Sequence, residues 1–168
     1  MLQIYTGNGK GKTTAALGLT FRAAGAGLRV FFGQFMKGVH AAELTSLKLL
    51  GDNVIAKQFG TGDFIVDAPT DKDRECASRA FSEIETVVKS GRFDVVVADE
   101  ICTAMFYKLI DTDDVLRLVR ACPPEVELIF TGRYAADAVI DAADVVTEMR
   151  EIKHCYQKGV PARAGIDY

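Results

Sequence analysis

The chain has 168 residues, 49 % of them apolar, and a formal net charge of −3. That length and composition suit one compact core over residues 1–168, and the absence of any lysine or arginine run argues against a nucleic-acid surface as the main business of the protein. No charged leader with an apolar core precedes the first strand-like run and no apolar stretch reaches bilayer length, so a soluble, unprocessed, cytoplasmic protein working on small molecules is expected. Cys76, Cys102, Cys122 and Cys155 are scattered, with no metal-holding spacing, and read as four reduced thiols.

In chain order, Leu2 to Thr6 reads as a short apolar strand that runs straight into Gly7, Asn8, Gly9, Lys10, Gly11, Lys12, Thr13 and Thr14. A strand, a glycine-rich turn, a lysine and two hydroxyl residues make a phosphate cradle. The glycines let successive N–H groups face one concavity, Lys12 reaches phosphate oxygens, and the Thr13 hydroxyl suits a phosphate-bound Mg2+. A nucleotide is therefore expected. The general pattern has a glycine five positions before Gly11, where this chain has Thr6. The loop is a variant, so hydrolysis at the terminal phosphate does not follow from it.

Thr14 to Ala26 is an alanine-rich helix, thin enough to pack closely on a sheet, with Gly27 available as a left-handed stop. Leu28 to Phe35 is the next strand, and Met36 to Gly38 turns out of its end. Ala42 to Leu50 is helical, Asn53 to Phe59 a strand, and Gly60 to Pro69 a long loop. From Asp71 to Lys89 apolar residues recur at helical spacing, with Thr70 as N-cap and Gly91 as stop. Phe93 to Asp99 is a β-branched strand ending in Asp99-Glu100. Helices over about 101–109 and 112–122, a strand over 126–130 ending in Thr131-Gly-Arg133, a short helix over 135–142 and a strand over 145–149 follow. The irregular stretch from Lys153 to Tyr168 is expected to wrap the surface. This alternation predicts an α/β fold, a sheet with crossover helices; with the phosphate loop at its start, the chain is expected to resemble a three-layer P-loop NTPase with a RecA-like, mostly parallel sheet and helices on both faces.

In open sheets, ligands collect at the carboxyl ends of strands. Asp99 and Glu100 are therefore expected near Thr13, as candidates to hold Mg2+ directly or through its waters. An acidic pair also caps helices, and the phosphate loop is what favours the metal role. Arg133 follows another buried strand, where a planar guanidinium matches phosphate oxygens; a plain surface arginine fits about as well.

Taken together, the phosphate loop through Ala16, Arg22 to Gly25, Gln34-Phe-Met-Lys-Gly38, Asp99-Glu100, Thr131 to Arg133, Ala143 to Met149, Lys153-His154 and the terminal Gly165-Ile-Asp-Tyr168 resemble the ATP:corrinoid adenosyltransferases of the cobalamin pathway. The resemblance covers essentially the whole chain in order. It implies transfer of the 5′-deoxyadenosyl group of ATP to the cobalt of a reduced corrinoid, with triphosphate as leaving group. On that reading the attacked atom is the 5′ carbon, Co(I) is the nucleophile, and the protein mainly positions and neutralises. The resemblance further implies that Gly7 to Thr14 hold the triphosphate, with Lys12 and Arg133 neutralising it. Thr13, Glu100 and Asp99 become the candidates for Mg2+ or Mn2+, and Arg22 and Lys37 lie near the site. It also implies a reductase or flavoprotein supplying Co(I), and a homodimer.

Two departures stand out. Relatives usually carry an aromatic pair including tryptophan in the corrinoid-facing loop, whereas this chain has no tryptophan and offers Phe64, with Ile65 and Val66 beside it. Many relatives also carry a segment before the first strand; what it covers is expected to be open here or covered by another chain. His154 matches the family tail and is expected to be a hydrogen-bonded structural residue rather than a cobalt ligand. A generic ATPase or kinase, or a RecA-like module switched by ATP, would use the same loop and acidic pair, and the products distinguish them.

Overall fold

The computed structural model describes residues 1–38, 41–62, 65 and 68–167. Its strands are β1 (Leu2–Thr6), β2 (Val30–Phe35), β3 (Val54–Phe59), β4 (Val95–Asp99), β5 (Glu127–Thr131) and β6 (Val145–Glu148). They form one sheet in the order β3-β2-β4-β5-β1-β6, and every pairing is parallel. The mostly parallel sheet expected from sequence is, among the described residues, wholly parallel.

Helices α1 (Lys12–Gly25) and α2 (Ala42–Lys48) cover one face, while α3 (Asp71–Lys89), α4 (Ile101–Phe106), α5 (Thr112–Ala121) and α6 (Asp137–Asp141) cover the other. The sorting follows strand alternation, because successive side chains point to opposite faces. Val30 and Phe32 of β2 pack with Ala16 and Ala23 of α1 and Leu47 of α2. Phe31 and Phe35 pack with Ala77, Ala80 and Ile84 of α3. At Gly33 between them, a Cβ would lie 3.0 Å from Ile84 Cδ1. Glycine here lets α3 approach the sheet.

Local chemistry sets the ends of these elements. The Thr70 hydroxyl accepts from the Asp73 N–H (3.2 Å) and the Asp73 carboxylate from the Thr70 N–H (2.9 Å), a reciprocal cap that starts α3 where the sequence predicts. The second strand begins at Val30 rather than Leu28. The Leu28 N–H instead bonds the Ala23 carbonyl (3.0 Å), closing α1 over Gly27 at φ 81. The fourth strand begins at Val95 rather than Phe93, since Asp94 turns aside to accept from the Arg29 N–H (2.8 Å) and guanidinium. The fifth runs one residue later than expected and takes in Thr131.

That last shift positions the site. With β5 between β4 and β1, Thr131 lies between the end carrying Asp99 and the end carrying the phosphate loop.

A candidate nucleotide site at the strand ends

Where the general phosphate-loop pattern has glycine, Thr6 ends β1 as a buried strand residue. The turn falls one residue later, at Gly7 with φ 97. A Cβ at Gly7 would meet the Met149 carbonyl oxygen at 2.5 Å, and one at Gly9 would meet it at 2.7 Å. The Gly9 N–H donates to that oxygen at 2.6 Å, so the loop lies directly on the exit of β6. Gly11, at φ 113, leads into α1. Lys12 is the first residue of α1 and is buried; its ammonium donates to the Gly9 carbonyl at 2.7 Å. Burial lowers its pKa and Arg133 adds to the lowering, against an upward pull from Glu100 and Asp99.

Asp99, fully buried at the end of β4, has its acceptor positions filled. Oδ1 accepts from the hydroxyls of Thr13 (2.9 Å) and Thr131 (2.6 Å). Oδ2 accepts from Gln34 Nε2 (3.1 Å) and Lys37 Nζ (2.9 Å). Burial by itself would lower the Lys37 pKa, but Asp99 and Glu43 outweigh it and the value lies above that of an ordinary lysine. Gln34 also donates to Glu43 (3.1 Å) and accepts from Gln58 (3.0 Å), which carries the network across β2 and β3.

Glu100 is held differently. Its backbone is left-handed at φ 66, unusual for a side-chain-bearing residue. Its N–H donates to Thr131 Oγ1 (2.9 Å), and its Oε2 accepts from Thr103 Oγ1 (2.6 Å). Burial, then the charge of Asp99, raises its pKa, partly offset by the Thr103 hydrogen bond and by Lys37 and Lys12.

A cavity of about 340 Å3, within the usual range for small-molecule sites, opens between Gly9 to Thr14, Glu100 and Arg133 on one side and the C-terminal segment on the other. Lys10 ties the two together through the Asp167 carboxylate and the Ile166 carbonyl (2.8 Å). Asp167 also accepts from the Arg163 N–H (2.9 Å) and guanidinium (3.1 Å). The tail read as a surface wrap thus walls the cavity. His154 lines it as well, with Nδ1 accepting from the Tyr156 N–H (3.1 Å) to cap the turn Cys155–Lys158.

The fold brings Gly9, Lys10, Gly11, Lys12, Thr13, Thr14, Glu100 and Arg133 to one cavity, with Asp99 directly behind Thr13. Gly7 and Asn8 shape the loop, the Asn8 carbonyl accepting from Arg133 Nη2 at 3.4 Å. Lys37 sits on Asp99 rather than on the cavity. Arg22 is exposed, about 15 Å from Lys12 at the helical rise of about 1.5 Å per residue, and is not brought to the site. Phe64 and His40 lie outside the described residues. Residues to which the sequence assigns no role are Thr131, Thr103, Gln34 and Glu43; Thr131 and Gln34 belong to the motifs of Arg133 and Lys37, but the neighbours of their strands are not visible in the sequence.

The thiols divide by burial. Cys76 and Cys102 are buried, Cys122 and Cys155 half-buried, and none is paired among the described residues. Burial and Glu100 push the Cys102 thiol up to about 12, while Cys155 lines the cavity.

Residues 1–168 match the family described as ATP:corrinoid adenosyltransferase BtuR/CobO/CobP. The chain belongs to the ATP:corrinoid adenosyltransferase family. A corrinoid adenosyltransferase of Sinorhizobium sp is 32 % identical over 171 residues, covering 100 % of this chain and 80 % of the relative. The corrinoid adenosyltransferase CobA of Salmonella typhimurium is 33 % identical over 165 residues, covering 98 % and 84 %. A crystal structure of flagellar accessory protein FlaH from Methanocaldococcus jannaschii shares the fold with a TM-score of 0.58 at 13 % identity, over 88 % of this chain and 69 % of that one.

For this adenosyltransferase the donor set suits Mg2+: the Thr13 hydroxyl and the Glu100 carboxylate are hard oxygens beside a phosphate loop. No group of three His, Cys, Asp or Glu side chains among the described residues can hold a metal unaided. Phosphate oxygens and water would have to complete the shell. Among the described residues no helix is long and apolar enough to cross a membrane.

Proposed function

We propose that this chain transfers the 5′-deoxyadenosyl group of ATP to the Co(I) of a reduced corrinoid, such as cobalamin, cobinamide or cobyrinic acid a,c-diamide, and releases triphosphate. The observation that carries the reading is the placement of Lys12 and Arg133, whose cationic ends rest on the Gly9 and Asn8 carbonyls of the phosphate loop. An arriving triphosphate offers both cations a stronger acceptor than a neutral carbonyl.

The Co(I) electron pair forms the bond to the 5′ carbon, and the pair of the C5′–O bond leaves with the triphosphate. Negative charge on the departing oxygen therefore grows in the transition state. Loop N–H groups, Lys12 and Arg133 meet it in a preorganised site, where such groups act most strongly. Gly7 to Thr14 hold the polyanion and fix the 5′ carbon towards the corrinoid. Thr13 and Glu100 are the residues that would hold Mg2+, or Mn2+. Asp99, with its acceptors already filled, orients the Thr13 hydroxyl rather than binding the ion itself. A bound divalent cation would supply further charge neutralisation on the triphosphate.

Phe64 remains the proposed aromatic contact to the corrinoid, and Lys37 acts through Asp99. A reductase or flavoprotein supplies the Co(I) substrate, the active unit is a homodimer, and the work is done in the cytoplasm by a single domain over residues 1–168.

The deciding experiment supplies purified protein with ATP, Mg2+ and chemically reduced cobinamide or cobalamin. A light-sensitive Co–C product and free triphosphate are expected in equal amounts. ADP with an unchanged corrinoid spectrum would instead identify a generic ATPase or kinase.

A further inference from the structure

Thr103, on the first turn of α4, joins two groups that the proposed chemistry uses separately. Its hydroxyl donates to Glu100 Oε2 at 2.6 Å and accepts from the Arg133 backbone N–H at 3.0 Å. The Arg133 N–H can only donate, so one lone pair of the hydroxyl faces it, and the single hydroxyl proton goes to the Glu100 carboxylate. The contact is close throughout. A Cβ on Gly132, at φ 133, would stand 2.7 Å from the Thr103 nitrogen and 2.8 Å from Oγ1, so the exit of β5 lies directly on this turn. Glu100 is already held in a left-handed backbone, and its N–H is anchored on Thr131.

Resting on the adenosyl-transfer reading, we propose that Thr103 is a positioning residue that fixes Glu100 and Arg133 relative to each other in one wall of the nucleotide cavity. Thr103 itself does not line that cavity, so it acts through the two residues it holds. One oxygen atom ties the carboxylate proposed for the cation to the backbone carrying the arginine proposed for the leaving group. A shift of either is therefore transmitted to the other. Such supporting partners are worth about 10–100-fold in metal affinity or activity when removed.

The test compares Thr103→Val, which keeps the shape and loses both hydrogen bonds, with Thr103→Ser, which keeps the hydroxyl. In the valine variant turnover is expected to fall about 10–100-fold, with the KM for the corrinoid unchanged. ATP affinity measured calorimetrically with and without Mg2+ gives a readout independent of turnover. The strengthening that Mg2+ confers on ATP binding to the wild type should shrink about tenfold in the valine variant, and the serine variant should recover it. If valine and serine variants match each other in turnover and in the Mg2+ effect, the proposal is overturned, whatever their thermal stabilities. Wild-type protein that binds ATP but never adenosylates a corrinoid would overturn the adenosyl-transfer reading itself, and the calorimetric comparison would still decide the role of Thr103.

Discussion

Lys12→Ala is expected to lower triphosphate formation by about 10²–10³-fold, the loss seen when one preorganised charge-stabilising donor is removed, while the protein stays folded. Both halves of that expectation have a structural cause. Lys12 is the first residue of α1, where alanine is an excellent helix former, and among the described residues its ammonium bonds only a loop carbonyl. Its lowered pKa means that burial penalises the charge in the empty protein. Removing the side chain relieves that penalty, so the melting temperature should hold or rise. Supplied ATP should then stabilise the variant much less than the wild type. Steady-state release of triphosphate and a thermal melt with and without ATP check the two halves. Wild-type turnover in the variant would remove Lys12 from the triphosphate site.

Glu100→Gln should separate activity from stability in opposite directions. Glu100 has a folded pKa above its unfolded value of 4.5, first from burial and then from Asp99. Stability linked to such a group is fully present below the unfolded pKa and is lost as pH rises through the folded one. With its pKa raised in the folded protein, Glu100 weighs increasingly against the empty fold as pH rises, and glutamine removes the titrating group while keeping a carbonyl oxygen for the Thr103 hydroxyl. A gain of about 1 kcal/mol lies in the range common for a single stabilising substitution, whose recurrent cost is lost function, and it corresponds to about 2–4 °C in a chain of this length. The gap between variant and wild type should close below about pH 4.5 and open as pH rises. Activity should fall about 10–100-fold, with a weaker response to Mg2+. Equal melting temperatures at every pH would show that Glu100 carries no such load.

The parts of the fold that local chemistry decides were legible in the sequence. Helix α3 runs from Asp71 to Lys89 as its periodicity predicts, because the Thr70–Asp73 cap is written in four adjacent residues. The sequence places the start of β2 two residues early because Leu28 looks like a strand residue, although its N–H belongs to the end of α1. What periodicity cannot supply is strand order. Thr131 reaches both Asp99 and Glu100 only because β5 stands between β4 and β1, and Thr103 meets Arg133 only because α4 packs beside that exit. The C-terminal segment has no period at all, so nothing local announced that Asp167 would reach Lys10. Arg22 illustrates the reverse case, a motif residue on the right helix but several turns away from the loop.

The uneven burial of the thiols makes them a labelling tool. Cys102 is sealed in the core with its thiol pushed up to about 12, and Cys76 is buried on α3, so neither offers an alkylating reagent an accessible thiolate. Cys155 is half-buried in the cavity wall, and Cys122 is half-buried by a separate crevice lined by Met1, Pro123 and Pro124. One thiol therefore lines the cavity and another, in a separate crevice, serves as an internal standard, so mass-spectrometric footprinting of the two can follow occupancy of the cavity without any engineered probe.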